Sequence, residues 1–417
     1  MSARALEAAS ASVALMTAER TFAARNYDPL PVVLSHGEGA WITDVDGRRY
    51  LDLMSAYSAV SFGHAHPAIL NALVAQARHL AVTSRAFFND RLPLLLERVT
   101  RITGLPRAIP SSGGAEAVET SLKAVRKWAY KVKGVPADRA EVIVCRSNFH
   151  GRSITIVGFS SEAQYRDGFG PFPPGFVSIP YNDTAALEAA ITPNTAAFLV
   201  EPVQGEGGIL VPRDGYLAEC GRICKEHDVL LVCDEIQTGL GRTGYRLACE
   251  HDKVRPDGVI LGKALGGGLL PVSMFAATDD VMQVFAPGDH GSTFGGNPLA
   301  SAVAIAALDV LERENLCSRS ASLGAWLLDE LRRIESPLVT DVRGRGLFIG
   351  IEVDTRKVSA RAVVDRLLER GLLSKDTHGT VVRIAPPLVI AREDLAWAVG
   401  EIAATFRDLE GRIRTTA

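Results

Sequence analysis

The chain has 417 residues, more than one hydrophobic core usually serves, so two or more domains sharing an interface are expected. Hydrophobic residues make up 47% and charged residues 22%; the formal net charge of −3 gives no footprint for nucleic acid or an anionic membrane surface. No apolar run approaches the roughly 20 residues of a membrane helix, and six cysteines without a CxxC pair fit reduced thiols in a cytoplasmic protein.

The first 25 residues are rich in Ala, Ser and Arg, but Glu7 and Glu19 argue against a transit peptide, so a short, partly disordered arm is expected. GAWITDVDGRRYLDLM then reads as a hairpin turning at Asp46-Gly47. His64 and His66 resemble a metal pair without an acidic or cysteine partner in the nearby sequence and read as turn or packing residues. Ser111-Ser112-Gly113-Gly114-Ala115-Glu116 precedes an amphipathic helix in which Val118, Leu122, Val125, Ala129 and Val132 recur every three or four residues, with Gly134 as a stop. EVIVC (141–145), AAFLVEP (196–202), VLLVCDE (229–235) and DGVILGKA (257–264) lack polar alternation and suit strands buried on both faces. Cys220 and Cys224 share a helix face with no second pair, which argues against a metal site.

From about Leu311 the character changes to helical stretches (SLGAWLLDELRRI, ARAVVDRLLERG) alternating with strand-like pieces (GLFIGIEV, TVVRIAP). The fold class is therefore α/β, with a large domain built on a mostly parallel sheet covered by helices and a smaller α+β domain. The expected division is an N-terminal segment (1–65) packing with the small domain, a large domain (66–310) and a C-terminal small domain (311–417).

Asp234 closes one apolar run and Lys263 closes another, just before three glycines. In an open parallel sheet ligands bind beyond the carboxyl ends of the strands, where both residues fall. A lysine amine for a Schiff base and an aspartate for a pyridinium nitrogen are what a pyridoxal phosphate enzyme needs. Small residues at 111–115 leave backbone N–H groups free at a helix N-terminus, which suits the phosphate of that cofactor. Phe149, His150 and Arg152 follow the strand EVIVC to the same edge, where an aromatic ring stacks on a planar ring and an arginine binds a carboxylate. HGSTFGGNP (290–298) carries a Ser292-Thr293 pair suited to phosphate oxygens. For Glu201, Glu206 and Arg383, periodicity sets no role.

DEIQTGLGRTG, LGKALGGG and GDHGSTFGGNPLA together resemble the class III (ω-amino acid) aminotransferases, of the fold-type I pyridoxal phosphate enzymes. Within that family the chain looks most like the ornithine-using branch. NYDPLPVVL, SAYSAVSFGHAHP, TSRAF, NFHGR, GFGPF, EPVQGEGG, RGRGLFIG and VVRIAPPLVI fall in its order, from about Asn26 to the C-terminus. The resemblance implies a seven-stranded large-domain sheet and a homodimer. Lys263 would carry the cofactor and shuttle the proton, Asp234 would pair with the ring nitrogen and Gln237 with the ring hydroxyl. Phe149 would stack on the ring beside His150. Gly114 and Ala115 would hold the phosphate, which Thr293, next to Ser292, would reach from the partner subunit.

On the substrate side the resemblance implies Tyr57 and Arg152 at carboxylates, with Phe88 and Glu201 nearby. Glu206 would pair with Arg383 while ornithine is bound and release it for 2-oxoglutarate. The expected products are glutamate and glutamate 5-semialdehyde, which cyclises to pyrroline-5-carboxylate. The alternatives are an acetylornithine or other ω-amino acid aminotransferase, or a non-transaminating enzyme of the same fold. Two positions depart from the family pattern: Phe88 stands where many relatives carry a polar aromatic, and the phosphate loop reads SSGGAEA rather than an Asn-Thr-Gly form.

Overall fold

In a computed structural model, residues 11–416 are described. The four Val/Ile/Leu-rich runs form adjacent strands of one seven-stranded sheet. Its spatial order is Arg107–Ser111, Ser273–Ala277, Gly258–Leu261, Leu230–Asp234, Thr195–Val200, Glu141–Cys145 and Phe176–Ile179. Every pairing is parallel except the two made by Ser273–Ala277, which runs against both of its neighbours. The absence of polar alternation has a direct cause: successive side chains enter two different cores. Val142, Val144, Leu230 and Val232 face the helix Gly114–Trp128, while Ile143, Cys145, Leu231 and Cys233 face the helix Tyr216–Glu226.

Two smaller sheets complete the architecture. Val339–Gly344, Ile349–Val353, Val381–Ile384 and Lys375–Thr377 form an antiparallel sheet in that order. The N-terminal hairpin pairs Trp41–Asp44 with Arg49–Asp52 around Gly47, whose φ of +88° explains the Asp-Gly turn. Its second strand pairs in parallel with Leu372–Leu373, which ties the N-terminal segment to the C-terminal part of the chain.

Three details differ from the sequence expectations. Ala11–Phe22 is a helix tied to the hairpin by Ser12 Oγ donating to Asp46 Oδ2 at 2.5 Å, so this part of the arm is ordered; residues 1–10 lie outside the described residues. Val132 is exposed because the helix widens into a π-turn over Ala129–Lys133, which rotates it off the apolar stripe before Gly134 ends the element. The helix Pro298–Arg313 also runs unbroken through the expected boundary at 310/311.

The loops around the sheets meet at backbone distance. A Cβ at Gly324, inside the helix Leu316–Arg332, would stand 2.1 Å from the carbonyl carbon of Gly346. Gly346 has φ +57° and is itself packed on the backbone of Thr243. Gly324→Ala should therefore destabilise the protein by about 2 kcal/mol, as overpacking of a close-packed contact does. Thermal unfolding checks this, and a midpoint at or above that of the unsubstituted protein would refute it.

Candidate active site

The carboxyl ends of the parallel strands deliver the chemistry to one edge. Strand Leu230–Asp234 ends on Asp234, and Gly258–Leu261 leads through Gly262 to Lys263. Glu141–Cys145 leads to Phe149 and His150, and Thr195–Val200 to Glu201. A cavity of about 200 Å³ opens there, lined among others by Gly114, Ala115, Phe149, His150, Asp234, Gln237 and Lys263. Glu201 lines the same cavity.

Asp234 is buried and divides its carboxylate between two partners: Oδ1 accepts from Ile236 N at 3.0 Å, and Oδ2 lies 2.7 Å from His150 Nδ1. Burial works against a charge on His150, but the Asp234 contact, helped by Glu201, outweighs it and raises the imidazole above its ordinary value. The other nitrogen, His150 Nε2, is buried without a partner among the described residues. Lys263 is held at φ +42°, and burial pulls its amine below the usual lysine range, against the opposing charge of Glu206. An amine more readily neutral is the form that attacks a carbonyl carbon.

These residues fit pyridoxal phosphate. The helix Gly114–Trp128 begins at Gly113 with no side-chain cap, so its first N–H groups remain available to an anion, with the helix dipole behind them. Phe149 supplies an aromatic face, Asp234 a buried carboxylate for a ring nitrogen, and Lys263 the amine. Ser292 and Thr293 line a more open hollow with Ser111, Ser112 and Ala115 of the same chain, where Ser292 Oγ donates to Glu116 Oε2 at 3.4 Å.

A second cavity of about 670 Å³ shares Phe149 and Lys263 with the first and adds Tyr57, Arg152, Tyr165 and Glu206. The ion pair expected between Glu206 and Arg383 is formed: Arg383 Nη2 donates to Glu206 Oε1 at 2.8 Å, with Arg383 1% exposed. Burial opposes the charge on Glu206, but Arg383 and Lys263 together hold it below the usual carboxylate range. The Arg383 guanidinium also lies 5.1 Å from the centre of the Tyr57 ring, and Lys263 Nζ lies 6.0 Å from it.

Gln237, expected at a ring hydroxyl, is engaged by the pair as well. Its Oε1 accepts from Arg383 Nη1 at 3.1 Å and its Nε2 donates to Glu206 Oε1 at 3.4 Å. Glu201, expected on the substrate side, instead faces the cofactor cavity, where its carboxylate accepts from Phe149 N and Gly205 N. Phe88 lines neither cavity; it is 97% exposed on a surface loop beside Phe87.

Sequence reasoning missed Tyr165, whose ring lies 3.6 Å from the Arg152 guanidinium carbon, because a lone aromatic in a short helix carries no periodic signal. It also missed Thr377, whose Oγ1 donates to Glu206 O at 2.6 Å from a distant strand. His64 and His66 do have acidic partners, Asp52 at 2.8 Å and Glu314 at 3.0 Å, which are distant in sequence. No cluster of three metal-ligating side chains occurs among the described residues.

Burial pushes Glu201 up to about 7 from 4.5, partly offset by His150. A carboxyl raised on folding stabilises the protein fully below its unfolded value, and that contribution is lost as pH rises through the folded one. Glu201→Gln does not titrate and escapes this loss. Between pH 4.5 and about 7 the stability of the cofactor-free variant should gain on the unsubstituted protein. The gain should be about 2–3 kcal/mol. Denaturant unfolding across that range checks it, and parallel pH profiles would show that Glu201 is not the titrating group.

Comparison with known proteins places this geometry. The family model for aminotransferase class-III matches residues 22–406. An ornithine aminotransferase of Brevibacillus brevis is 55% identical over 381 residues, 91% of this chain and 95% of the relative. A solved ornithine aminotransferase from Toxoplasma gondii, described with partial occupancy of PLP at its active site, superposes with a TM-score of 0.95 at 45% identity, covering 97% of this chain and 96% of that one. An acetylornithine aminotransferase from Elizabethkingia anophelis superposes with a TM-score of 0.86 at 46% identity, over 95% of this chain and 99% of that one. The fold is thus that of a pyridoxal phosphate-dependent transferase of fold type I, and the chain belongs to the class-III aminotransferase family.

Proposed function

We propose that this chain is an ornithine δ-aminotransferase, moving the δ-amino group of ornithine to 2-oxoglutarate to give glutamate and glutamate 5-semialdehyde. The observation that carries the reading is the pair of buried Arg383 with half-buried Glu206 beside Lys263. A substrate entering with an uncharged or cationic ω-end meets a neutralised arginine there, whereas a dicarboxylate needs a free one. Arg152, whose charge rests on the faces of Tyr165 and Phe149, is the natural partner for the α-carboxylate at the far end of ornithine, with Tyr57 between them.

When bound, pyridoxal phosphate supplies an electron-accepting ring and a carbon that takes up and returns nitrogen. The residues of this chain do the rest. Asp234 would face the ring nitrogen, its carboxyl group held in place by His150 and by the backbone of Ile236. Lys263 Nζ would accept the proton from the substrate's δ-carbon and hand it on within that half of the reaction, and in the second half would deliver a proton to the α-carbon of the glutamate formed. Gly114 and Ala115 hold the phosphate through backbone N–H groups, and Phe149 fixes the ring plane. Release of Glu206 from Arg383 frees the guanidinium for a carboxylate of 2-oxoglutarate. The product aldehyde and the remaining amine lie a five-membered ring apart and close to pyrroline-5-carboxylate.

The functional unit in this reading is a homodimer whose partner subunit brings Thr293 to the phosphate; the exposed Phe87, Phe88 and Phe294 supply an apolar surface for it to cover. The division into an N-terminal segment, a large and a small domain fits the three sheets. The unpaired thiols suit the cytoplasm, and among the described residues no helix is long and apolar enough to cross a membrane. N-acetylornithine is the second reading, favoured by the solved relative that acts on it.

Amino-donor profiling against 2-oxoglutarate tests the assignment: ornithine should exceed N-acetylornithine, lysine and 4-aminobutyrate in kcat/KM, and a preference for N-acetylornithine would reverse it. Lys263→Ala should abolish turnover with every donor. Glu206→Ala leaves Arg383 unpaired, so the preference for the δ-amine over ordinary α-amino donors should fall by about 10–100-fold, as the loss of a charge partner at a buried site implies. An unchanged preference would remove the pair from the specificity argument.

A further inference from the structure

Four consecutive non-glycine residues, Ser55, Ala56, Tyr57 and Ser58, have left-handed backbone, with φ of 42°, 46°, 58° and 74°. L-residues visit this region singly and at a cost, so a run of four persists only where the surroundings impose it. Tyr57 sits inside the run and faces the substrate cavity. One end of the run is held by Asp52, whose Oδ1 accepts from both Met54 N and Ser55 N at 2.8 Å.

The other restraint is Arg242, fully buried and with no carboxylate at ion-pair distance among the described residues. Its Nη1 donates to Leu347 O at 2.9 Å and Pro386 O at 2.6 Å; its Nη2 donates to Ser55 Oγ at 3.0 Å and Ser61 Oγ at 2.9 Å. A guanidinium cannot accept, so both hydroxyls must accept from it and spend their own proton elsewhere. Ser61 Oγ donates to Ser58 O at 2.8 Å, the last residue of the left-handed run. Ser55 Oγ donates to Ala385 O at 2.6 Å, two residues beyond Arg383. One side chain thereby fixes both ends of the Tyr57 turn and the strand end that carries Arg383.

We propose that Arg242 is a positioning residue of the active site, which sets Tyr57 against Arg383 and so tunes the substrate pocket without touching substrate. This rests on the reading of Tyr57 as a substrate contact. Arg242→Lys keeps a charge and loses the fork. With the holoenzyme, it should raise KM for ornithine about tenfold, as expected for lost hydrogen bonds acting on one contact, while kcat and the cofactor absorbance stay nearly unchanged. KM does not depend on how much enzyme survives folding, so a merely structural arginine would lower the melting temperature and leave KM alone.

Tyr57→Ala should raise KM comparably, and the Arg242→Lys/Tyr57→Ala double variant should add little beyond either alone. Ser61→Ala, which removes one arm only, should give a smaller rise in the same direction, and it decides the matter if Arg242→Lys does not fold. An unchanged KM in Arg242→Lys or, failing its folding, in Ser61→Ala overturns the positioning role, as does full additivity in the double variant. An unchanged KM in Tyr57→Ala overturns the reading of Tyr57 and the proposal with it.

Discussion

Arg383 is buried to 1% exposure, and among the described residues its charge is balanced at close range by a single carboxylate, that of Glu206. Two charges taken out of water are tolerable only as a pair, because removing either leaves the other desolvated and unmatched. The surroundings are built to keep the pair aligned. Thr377 holds the backbone of Glu206, Gly205 O accepts a second Arg383 bond, and Gln237 bridges the two charged groups. In the proposed reaction the pair would open for a dicarboxylate, and the Arg383 bonds to Gln237 and Gly205 O would remain, so opening would not strip the guanidinium of every partner.

The opposite end of the site obeys a different constraint. Asp234, His150 and Glu201 are all buried, and only the His150–Asp234 contact is a close charge pairing. Glu201 is pushed up to about 7 while Asp234 accepts from a backbone N–H and from His150, so the two carboxylates differ sharply in environment. Three coupled groups at that depth form one electrostatic unit rather than three independent residues. Lys263, between the two ends, feels both: Glu206 favours its charge, while burial and Arg383 oppose it.

Much of this was legible in the sequence because the parallel sheet imposes a strong pattern. Strands buried on both faces read as unbroken apolar runs, and the residues that end them, Asp234, Lys263 and Glu201, necessarily meet at one edge. The turn at 111–113 was legible because small residues precede an amphipathic pattern, and the helix begins there at Gly114. The illegible parts depend on which distant segments meet. Glu201 could not be separated from Glu206 by spacing, although one faces the cofactor cavity and the other the ion pair. Phe88 was expected among substrate contacts and lies at the surface of this chain, since a side chain's direction in an irregular loop follows from packing and not from period. Val132 left its stripe for a local reason, the π-turn, which no periodic template contains.

Part of the backbone strain lies at the same site. Lys263 and the run Ser55–Ser58 hold left-handed backbone without glycine, one delivering the amine and the other Tyr57. Glycine would relieve the strain at either place and would also free the side chain it delivers, or remove it. A strained but over-determined backbone gives a reactive group one orientation, and it is held by buried acceptors such as Asp52, whose Oδ1 takes both Met54 N and Ser55 N. The hairpin, the strand end after Arg383 and the loop that follows Asp234 all contribute to that restraint. The pocket is therefore defined by the contact between the sheets, and a change in how they seat on one another would reach Tyr57 and Arg383 before it reached Lys263.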